Sequence, residues 1–338
     1  MSGFNDKILM NLAIYKAWKY QGLTYPNPAV GALVVDGKGE IVSIEAHQKA
    51  GTSHAEVLAL LSAYEEMTNQ KLPIDKLNPI LAHRFLTTYA KDIFKDCTIY
   101  VTLEPCSHIG KTPSCASLLI ELAIKRVVVA TTDPISSHSG GVDIMKYQGI
   151  QVKVGVEEEK AKELIEPFLI WQNRAFVLFK IAQTFNGKIG GGYLSCQSSL
   201  THTHKLREVA DKILIGGNTV RLDRPKLDCR FIEEAISPDI YIYSKSNNLD
   251  RDIPLFNIPH RNVEIGDDLS FLDNPSFVIV EGGEGMLNAI KDKIDWLLIY
   301  QTSTVSTDET DYRLSLRTNS LHQRKIGEDM MLWSKTLK

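Results

Sequence analysis

Long hydrophobic runs are missing from this sequence. Its 338 residues are 43% hydrophobic and 23% charged, but no stretch approaches the roughly 20 consecutive apolar residues that a membrane span requires. The first segment, MSGFNDKILMNLAIYKAWKYQG, is interrupted by Asp6, Lys7, Lys16 and Lys19, so it lacks the apolar centre of a signal peptide. We therefore expect a cytoplasmic protein without a membrane partner.

Basic residues are not in surplus, and cysteines are few. The formal net charge is -3, which offers no electrostatic attraction for nucleic acid. Five cysteines are an odd number, so they cannot all pair in disulfides, and a reducing compartment is expected. In such a compartment paired cysteines are more often metal ligands or catalytic groups than disulfide partners.

The length of the chain predicts about two domains. An amphipathic helix near residues 5–20 is followed by a hairpin, AVGALVVD and EIVSIEAH, and then by alternating helices and strands up to IQVKVGV. A second alternating set extends from AFVLFKIAQT to DWLLIYQTS. This alternation predicts an α/β domain at 1–155, a connecting helix at 156–173 and a second α/β domain at 174–338. Residues 66–92 have the mixed composition of an inserted helical hairpin or lid.

Two cysteines in the segment EPCSHIGKTPSC are candidate metal ligands. Cys106 and Cys115 could supply two thiolates and His54, in the segment HAE, a nitrogen, while Glu56 would lie beside the metal without binding it. One histidine and two cysteines suit Zn²⁺ and leave a fourth position for a water molecule, whose pKa falls to about 7. Each segment alone is a weak signal, but together they indicate a zinc deaminase, whose signature is H-x-E followed by P-C-x-x-C. A purely structural zinc ion, with His108 as fourth ligand, is the alternative.

The spacing between the two cysteines departs from that short signature, because eight residues separate them instead of two. With this spacing, PCSHIGKTPSC closely resembles the deaminase domain of the bifunctional riboflavin-biosynthesis enzymes, as do GLTYPNPAVGALVV and HQKAGTSHAE. The resemblance implies a three-layer α/β/α cytidine-deaminase-like domain. In it one Zn²⁺ would bind His54, Cys106 and Cys115, and Glu56 would shuttle protons.

The same resemblance implies three contacts to the substrate of the deaminase. Asn27 would face the ribose or the ring, and His47 and Lys111 would reach toward the phosphate. Without the resemblance, Asn27 could equally be a plain turn residue before proline, and Lys111 would be interpreted as a solvated loop charge.

Three segments of the second half resemble the reductase domain of the same family, which is related in fold to dihydrofolate reductase. They are KIAQTFNGKI, HKLREVADKILIGGNTVRLDRPKLDCR and VEGGEGMLNAI. A strand that ends in Gly-Gly and opens a helix offers free N–H groups to a pyrophosphate, although such a turn alone is more often structural. It is not the G-x-G-x-x-G fingerprint of ordinary dinucleotide-binding domains. Thr184, Phe185 and Asn186 replace the usual serine, leucine and aspartate, and the loop between Gly190 and Thr201 is shorter than in the family.

The resemblance assigns two sets of residues in this half. NADPH would be held by Ala182, Thr219, Asp223, Ser244, Gly283, Glu284, Gly285, Met286, Leu287, Asn288 and Ala289. The ribosylamino-pyrimidine phosphate substrate would be held by Arg207, Leu227, Arg230 and Glu281.

The resemblance implies an enzyme for two consecutive steps of riboflavin biosynthesis, with Zn²⁺ and NADPH as cofactors. It would deaminate 2,5-diamino-6-ribosylamino-4(3H)-pyrimidinone 5′-phosphate and then reduce the ribosyl chain to give 5-amino-6-ribitylamino-uracil 5′-phosphate. Small-molecule substrates and a homo-oligomer, a dimer or tetramer, are expected. One alternative is a single-activity deaminase with a degenerate reductase half, suggested by the altered TFNG segment. Others are a nucleic-acid base deaminase, disfavoured by the lack of basic surplus, and a non-catalytic zinc-stabilised interaction protein.

Overall fold

The structure is a computed structural model that describes residues 3–108, 113–135, 139–190, 194–312 and 315–337. The chain divides into two compact units, Met1–Phe168 and Leu169–Lys338. The domain limits proposed from the sequence, at 155 and 174, stay predictions. Within the described parts of the chain, no helix combines the length and the apolar character that crossing a membrane demands.

The first unit is built around one mixed sheet with the strand order β2-β1-β3-β4-β5. Strand β1 is antiparallel to β2 and β3, whereas β3, β4 and β5 are parallel. The elements of this part of the chain are α1 (Gly3–Ala17), β1 (Gly31–Val35), β2 (Ile41–Ala46), α2 (Ala55–Thr68), α3 (Pro79–Tyr89), β3 (Thr98–Leu103), α4 (Cys115–Glu121), β4 (Arg126–Thr131), α5 (Gly141–Tyr147), β5 (Gln151–Val154) and α6 (Glu158–Trp171).

Helices cover both faces of this sheet because alternate strand residues point to opposite sides. Ala32, Ile99 and Val127 pack into one core with α2, α4 and α5. On the other face α1 lies so close to β1 that a Cβ on Gly31 would be 2.1 Å from the carbonyl oxygen of Ala13. The unit therefore has the three layers predicted from the sequence.

Helix α1 is anchored to the sheet by one buried carboxylate. Asp6 is 1% exposed and accepts hydrogen bonds from Tyr100 Oη at 2.8 Å, from two Arg126 nitrogens at 2.9 and 2.8 Å, and from Lys153 Nζ at 2.7 Å. Burial alone would raise the pKa of Asp6, but these donors outweigh it and hold the pKa well below its usual range. The helix is thus tied to β3, β4 and β5 at once.

The segment interpreted as an insertion, residues 66–92, carries the helix α3. Its residues Ala82, Phe85 and Leu86 are buried in the core, and the ring centroid of Phe85 lies 5.1 Å from that of Tyr64 on α2. Just before α3, the carbonyl of Leu77 accepts a hydrogen bond of 3.1 Å from the N–H of Ser53. The segment therefore packs on α2 and contacts the turn that precedes it.

The second unit contains a sheet in the order β12-β13-β11-β6-β10-β7-β8-β9. Strands β11, β6, β10, β7, β8 and β9 run parallel, and the hairpin β12–β13, which was not predicted from the sequence, joins antiparallel to β11. Its elements are β6 (Ala175–Gln183), α7 (Gln197–Val209), β7 (Lys212–Gly216), α8 (Gly217–Asp223), β8 (Asp239–Tyr243), β9 (Val263–Gly266), β10 (Ser276–Glu281), α9 (Glu284–Ile290), β11 (Trp296–Gln301), β12 (Thr318–Ile326) and β13 (Asp329–Thr336).

Candidate active sites

Three metal-binding side chains converge at one end of the first sheet. His54 immediately precedes α2, Cys106 follows β3, and Cys115 is the first residue of α4. Their donor atoms all lie within 4.8 Å of one another, and His54 Nδ1 is 3.8 Å from Cys106 Sγ and 3.4 Å from Cys115 Sγ. A zinc ion bound at about 2.0–2.3 Å from each donor fits this set.

Local hydrogen bonds hold the two cysteines against each other. Ser114 Oγ and the N–H of Ala116 donate to the carbonyl of Cys106 at 2.9 and 3.1 Å, and the N–H of Cys115 donates to Cys106 Sγ at 3.4 Å. These bonds hold the two ends of the spacer together, and its second end leads directly into α4. This geometry explains how cysteines nine positions apart can share one ion.

The two thiols differ in acidity. A hydrogen bond from Cys115 and the neighbouring His54 lower the pKa of Cys106 to about 4, whereas the pKa of Cys115 is raised by Cys106 and by burial. Cys106 therefore loses its proton more readily than Cys115, and metal binding would release the proton that the pair retains.

Glu56 lies beside this cluster in a buried position. Its side chain is within hydrogen-bonding reach of Cys115, and burial raises the pKa of Glu56 to about 7. A carboxyl group with this pKa can take up and release a proton near neutral pH.

A cavity of about 350 Å³ opens above the cluster, a volume that suits a small ligand. Asn27, His47, His54, Glu56 and Cys106 all line it. His108, the alternative fourth ligand, also lines the cavity, but it does not belong to the metal-binding group found among the described residues. The cluster thus has three protein donors and faces an open space, as a catalytic zinc site does.

The structure gives His47 two defined partners. Its Nδ1 lies 3.1 Å from the carbonyl oxygen of Ser53 and its Nε2 lies 3.1 Å from Nδ2 of Asn27. Burial and the nearby His54 lower the pKa of His47 to about 4, so the ring is neutral, donating from Nδ1 and accepting at Nε2. The phosphate contact proposed for His47 stays a prediction, and Lys111 lies outside the described residues.

Glu104 and Asp133 line the same cavity and were missed in the sequence. The carboxylate of Glu104 accepts hydrogen bonds from the backbone N–H groups of Asp133 at 3.0 Å, Gly140 at 3.0 Å and Val142 at 2.9 Å. Both acidic residues follow the neighbouring parallel strands β3 and β4. Acidic residues at the carboxyl ends of adjacent strands are the signal that could have revealed them.

A second group of charged side chains lies on the sheet of the other unit. Glu281, at the end of β10, receives Lys180 Nζ at 3.0 Å and Arg207 Nε and Nη2 at 2.8 and 2.7 Å. Burial would raise the pKa of Glu281, but the charges of Arg207 and Lys180 hold it at about 2. Lys180 was not among the predicted site residues, although a lone lysine inside the apolar strand AFVLFKIAQ was the available signal.

The loop after α8 contains the other predicted substrate residues. Leu227 packs its side chain into an apolar cluster, so its backbone is the part that could face a ligand. Arg230 is exposed and its Nε donates to Asp228 Oδ1 at 2.7 Å. Arg261 donates to the carbonyls of Lys226 at 2.9 Å and Pro238 at 2.8 Å, and also to that of Leu227.

The predicted cofactor residues lie along the carboxyl ends of β6, β10, β7 and β8. Gly282 has φ +156°, and a Cβ there would lie 2.8 Å from Cβ of Met286, so the turn requires glycine. A Cβ on Gly283 or Gly285 would meet nothing within 4 Å, which leaves this backbone open to a ligand. The following residues divide by exposure: Met286 and Leu287 are buried in the core, whereas Asn288 and Ala289 are exposed.

The remaining cofactor candidates surround this turn. Thr219 lies with Oγ1 3.7 Å from the Cβ position of Gly282. Ala182, Glu284 and Ser244 are half-buried, and Asp223 is exposed. The structure therefore brings Thr219 near the glycine turn and offers an open backbone cradle that fits a dinucleotide.

Two families match successive parts of the chain. Residues 4–131 match the cytidine and deoxycytidylate deaminase zinc-binding region, and residues 175–268 match the RibD C-terminal domain. The riboflavin biosynthesis protein RibD of Mycobacterium tuberculosis is 28% identical over 96% of this chain and 95% of its own length. The chain belongs to the RibD family.

Other relatives agree with this assignment. RibD of Aquifex aeolicus is 41% identical over 69% of this chain, and the match spans 60% of that protein's length. A Thermotoga maritima structure, described as a diaminohydroxyphosphoribosylaminopyrimidine deaminase/5-amino-6-(5-phosphoribosylamino)uracil reductase, is 26% identical with a TM-score of 0.66, covering 99% of each chain. RibD of Acinetobacter baumannii, 23% identical with a TM-score of 0.66 over 100% of each chain, shares the fold.

The fold prediction is confirmed: a cytidine-deaminase-like domain precedes a RibD C-terminal reductase domain. The cofactor prediction is also confirmed at the level of the family. The zinc-binding domain and the His-Cys-Cys cluster fit Zn²⁺, and a reductase domain of the RibD type fits NADPH.

Proposed function

We propose that this chain performs two consecutive reactions of riboflavin biosynthesis, a hydrolytic deamination followed by an NADPH-dependent reduction. The observation that carries the proposal is the His54, Cys106 and Cys115 cluster with the buried Glu56 beside it in one cavity. Membership of the RibD family supports the substrate, 2,5-diamino-6-ribosylamino-4(3H)-pyrimidinone 5′-phosphate, and the reduction of its ribosyl chain to give the ribitylamino-uracil phosphate.

In the deaminase site, His54, Cys106 and Cys115 would hold the zinc ion, which when bound supplies a water molecule of near-neutral pKa. Glu56 would accept a proton from the attacking water and deliver protons to the ring nitrogen and the departing ammonia. Because Asn27 Nδ2 donates to His47, the Oδ1 atom of Asn27 remains as an acceptor for an N–H group of the substrate.

In the reductase site, the open backbone at Gly283 and Gly285 would receive NADPH, which when bound supplies the hydride. Glu281 stays ionised, and its carboxylate oxygens hold the side chains of Lys180 and Arg207 in place. Lys180 has further protons to donate toward an oxygen of the opening sugar, and Arg207 adds positive charge on the side where a phosphate would lie.

The test is to supply the zinc-loaded protein with the diaminopyrimidine ribose phosphate and to measure ammonia release and NADPH oxidation separately. We expect both. Ammonia release without NADPH oxidation, also when the deaminated intermediate is supplied, would instead establish a single-activity deaminase. Release of ammonia from single-stranded RNA, but not from the nucleotide, would establish a nucleic-acid deaminase.

We also propose that the protein works in the cytoplasm on small molecules, as a dimer or tetramer and without a nucleic-acid or membrane partner. The net charge of -3 supports the absence of a nucleic-acid partner, because it offers no attraction for a polyanion. Light scattering after size-exclusion chromatography measures the oligomeric state, and a monomer at micromolar concentration contradicts it.

A further inference from the structure

Arg221 occupies a defined position at the carboxyl ends of β7 and β8. Its Nη1 lies 3.2 Å from Oδ1 of Asn218 and its Nη2 lies 3.3 Å from Oγ of Ser244. Gly217 makes this arrangement possible, because a Cβ there would lie 2.7 Å from Ser244 Oγ and 3.2 Å from Arg221 Nη1. The guanidinium group is therefore held in place by neutral side chains.

The charge of Arg221 is not balanced by a carboxylate among the described residues, unlike that of its neighbours. Arg224 pairs with Asp250 at 2.6 Å and Lys226 pairs with Asp228 at 3.1 Å. Arg221 is also exposed and, with two of its five N–H groups directed at Asn218 and Ser244, keeps others for a ligand. A fixed arginine with full charge and free donors is suited to bind a phosphate with two parallel hydrogen bonds.

This arginine lies in line with the glycine turn that we assign to the cofactor. Strand β7 separates β10, which ends at Glu281, from β8, which ends at Tyr243. Since neighbouring strands are about 4.8 Å apart, the ends of β10 and β8 are separated by roughly 10 Å. That separation is on the scale of the distance from the pyrophosphate of a dinucleotide to a phosphate on the 2′ position of its adenosine ribose.

We propose that Arg221, held by Asn218 and Ser244, binds the 2′-phosphate of NADPH and makes this domain prefer NADPH to NADH. The inference rests on the proposed reductase function and adds the residue that selects the cofactor. NADH carries a hydroxyl group where NADPH carries the 2′-phosphate. The charged guanidinium group of Arg221 would therefore form strong contacts only with NADPH. Arg221 thus sets affinity for the cofactor's distal end and takes no part in hydride transfer.

The experiment compares dissociation constants of NADPH and NADH for the wild type, Arg221→Gln and Arg224→Gln, from the fluorescence of the reduced nicotinamide at constant ionic strength. We expect Arg221→Gln to weaken NADPH binding about 10- to 100-fold, as the loss of a charge-assisted bidentate contact does, with NADH binding unchanged. Arg224→Gln removes the same charge three positions away and should leave the preference for NADPH intact. Competition by 2′,5′-ADP should be lost in Arg221→Gln, while competition by 5′-AMP should persist.

The possible failures are distinguishable. If Arg221→Gln weakens NADPH and NADH equally, or neither, Arg221 does not read the 2′-phosphate and the inference is overturned. If the wild type binds both cofactors with equal affinity, the inference also fails, although the reductase function stands. If the wild type binds neither cofactor, the proposed reductase function itself is wrong.

Discussion

Glu56 in the first unit and Glu281 in the second are both buried in a candidate active site, and their carboxyl groups have opposite properties. Glu56 is 4% exposed and Glu281 is 8% exposed. Burial raises the pKa of Glu56 to about 7, whereas Arg207 and Lys180 overcome burial and hold the pKa of Glu281 at about 2. The number of cations that face a buried carboxyl group therefore decides whether it can carry protons or stays charged.

The largest effect is expected from removing the proton carrier. Glu56→Gln keeps the shape of the side chain but cannot accept a proton, so ammonia release should fall by about 10²- to 10⁴-fold. Zinc content and the reduction of a supplied deaminated intermediate should not change. Glu45→Gln, on β2 of the same unit, is the matched control and should keep full activity. Retention of more than about a tenth of the activity by Glu56→Gln would assign proton transfer to another group.

Removing the charge of Glu281 should instead lower the stability of the second unit. Glu281→Gln leaves Lys180 and Arg207 without their counter-charge, and the free energy of unfolding of the second unit should fall by about 3–5 kcal/mol. Glu56→Gln, which removes a carboxyl group that burial already disfavours, should not destabilise the first unit. Pulse proteolysis in urea, with fragments of the two units resolved by mass, measures both. Equal destabilisation by the two variants would refute this contrast between Glu281 and Glu56. Adding Lys180→Met to Glu281→Gln should restore part of the stability of the second unit.

The two glutamates should contribute to the pH dependence of stability with opposite signs. The pKa of Glu56 in the folded protein, about 7, lies above its unfolded value of about 4.3. Its contribution to the free energy of unfolding is therefore complete below about pH 4.3 and is lost as pH rises through 7. For Glu281 the contribution is complete above about pH 4.3 and is lost as pH falls toward 2. In chelator-treated protein the contribution of Glu56 should change by on the order of 3 kcal/mol between about pH 4 and about pH 7. It is measured as the difference between the wild type and Glu56→Gln, because the lowered pKa of His47 acts in the opposite direction in both proteins. The same urea and proteolysis series at several pH values provides the measurement.

Smaller effects are expected from the side chains that hold each site's loops. Glu104 accepts three backbone N–H groups beside the first cavity, and Arg261 donates to three backbone carbonyls beside the second site. Glu104→Gln and Arg261→Lys each remove at least one such bond, a loss of about 1–2 kcal/mol. We expect Glu104→Gln to raise KM for deamination only, and Arg261→Lys to raise KM for reduction only. Steady-state kinetics of both reactions are measured for both variants. A rise in KM for the reaction of the other unit would contradict these assignments.

Patterns along the chain predicted elements whose residues are close in sequence. The alternation of strands and helices located most elements up to β11, because buried parallel strands appear as short apolar runs. It missed the short helix α5 and the short strand β9. The hairpin β12–β13 escaped, since most side chains of β12 are exposed or half-buried and its register is set by pairing with the distant strand β11. Edge strands of this kind have little apolar signal of their own.

The residues of the two candidate sites divide in the same way, into those recognisable from local segments and those placed by contacts that are distant in sequence. The cluster of His54, Cys106 and Cys115 was recognisable because its residues lie in short segments with characteristic residue types at fixed spacings. The contact of Arg207 with Glu281 spans 74 positions, and nothing in either local segment indicates the other. Arg261 acts on backbone groups, which carry no sequence signal, whereas Glu104 was detectable only from its position directly after β3.

The anchoring of α1 by Asp6 has a consequence for protein synthesis. The three partners of Asp6 lie 94, 120 and 147 positions further along the chain, so the helix emerges from the ribosome long before them. At about 5–20 residues per second, Asp6 waits roughly 7–30 s for Lys153. During that interval α1 can pack on β1 and β2, which follow it directly in the chain, but the carboxylate of Asp6 has not yet met the cations that hold it in the folded unit.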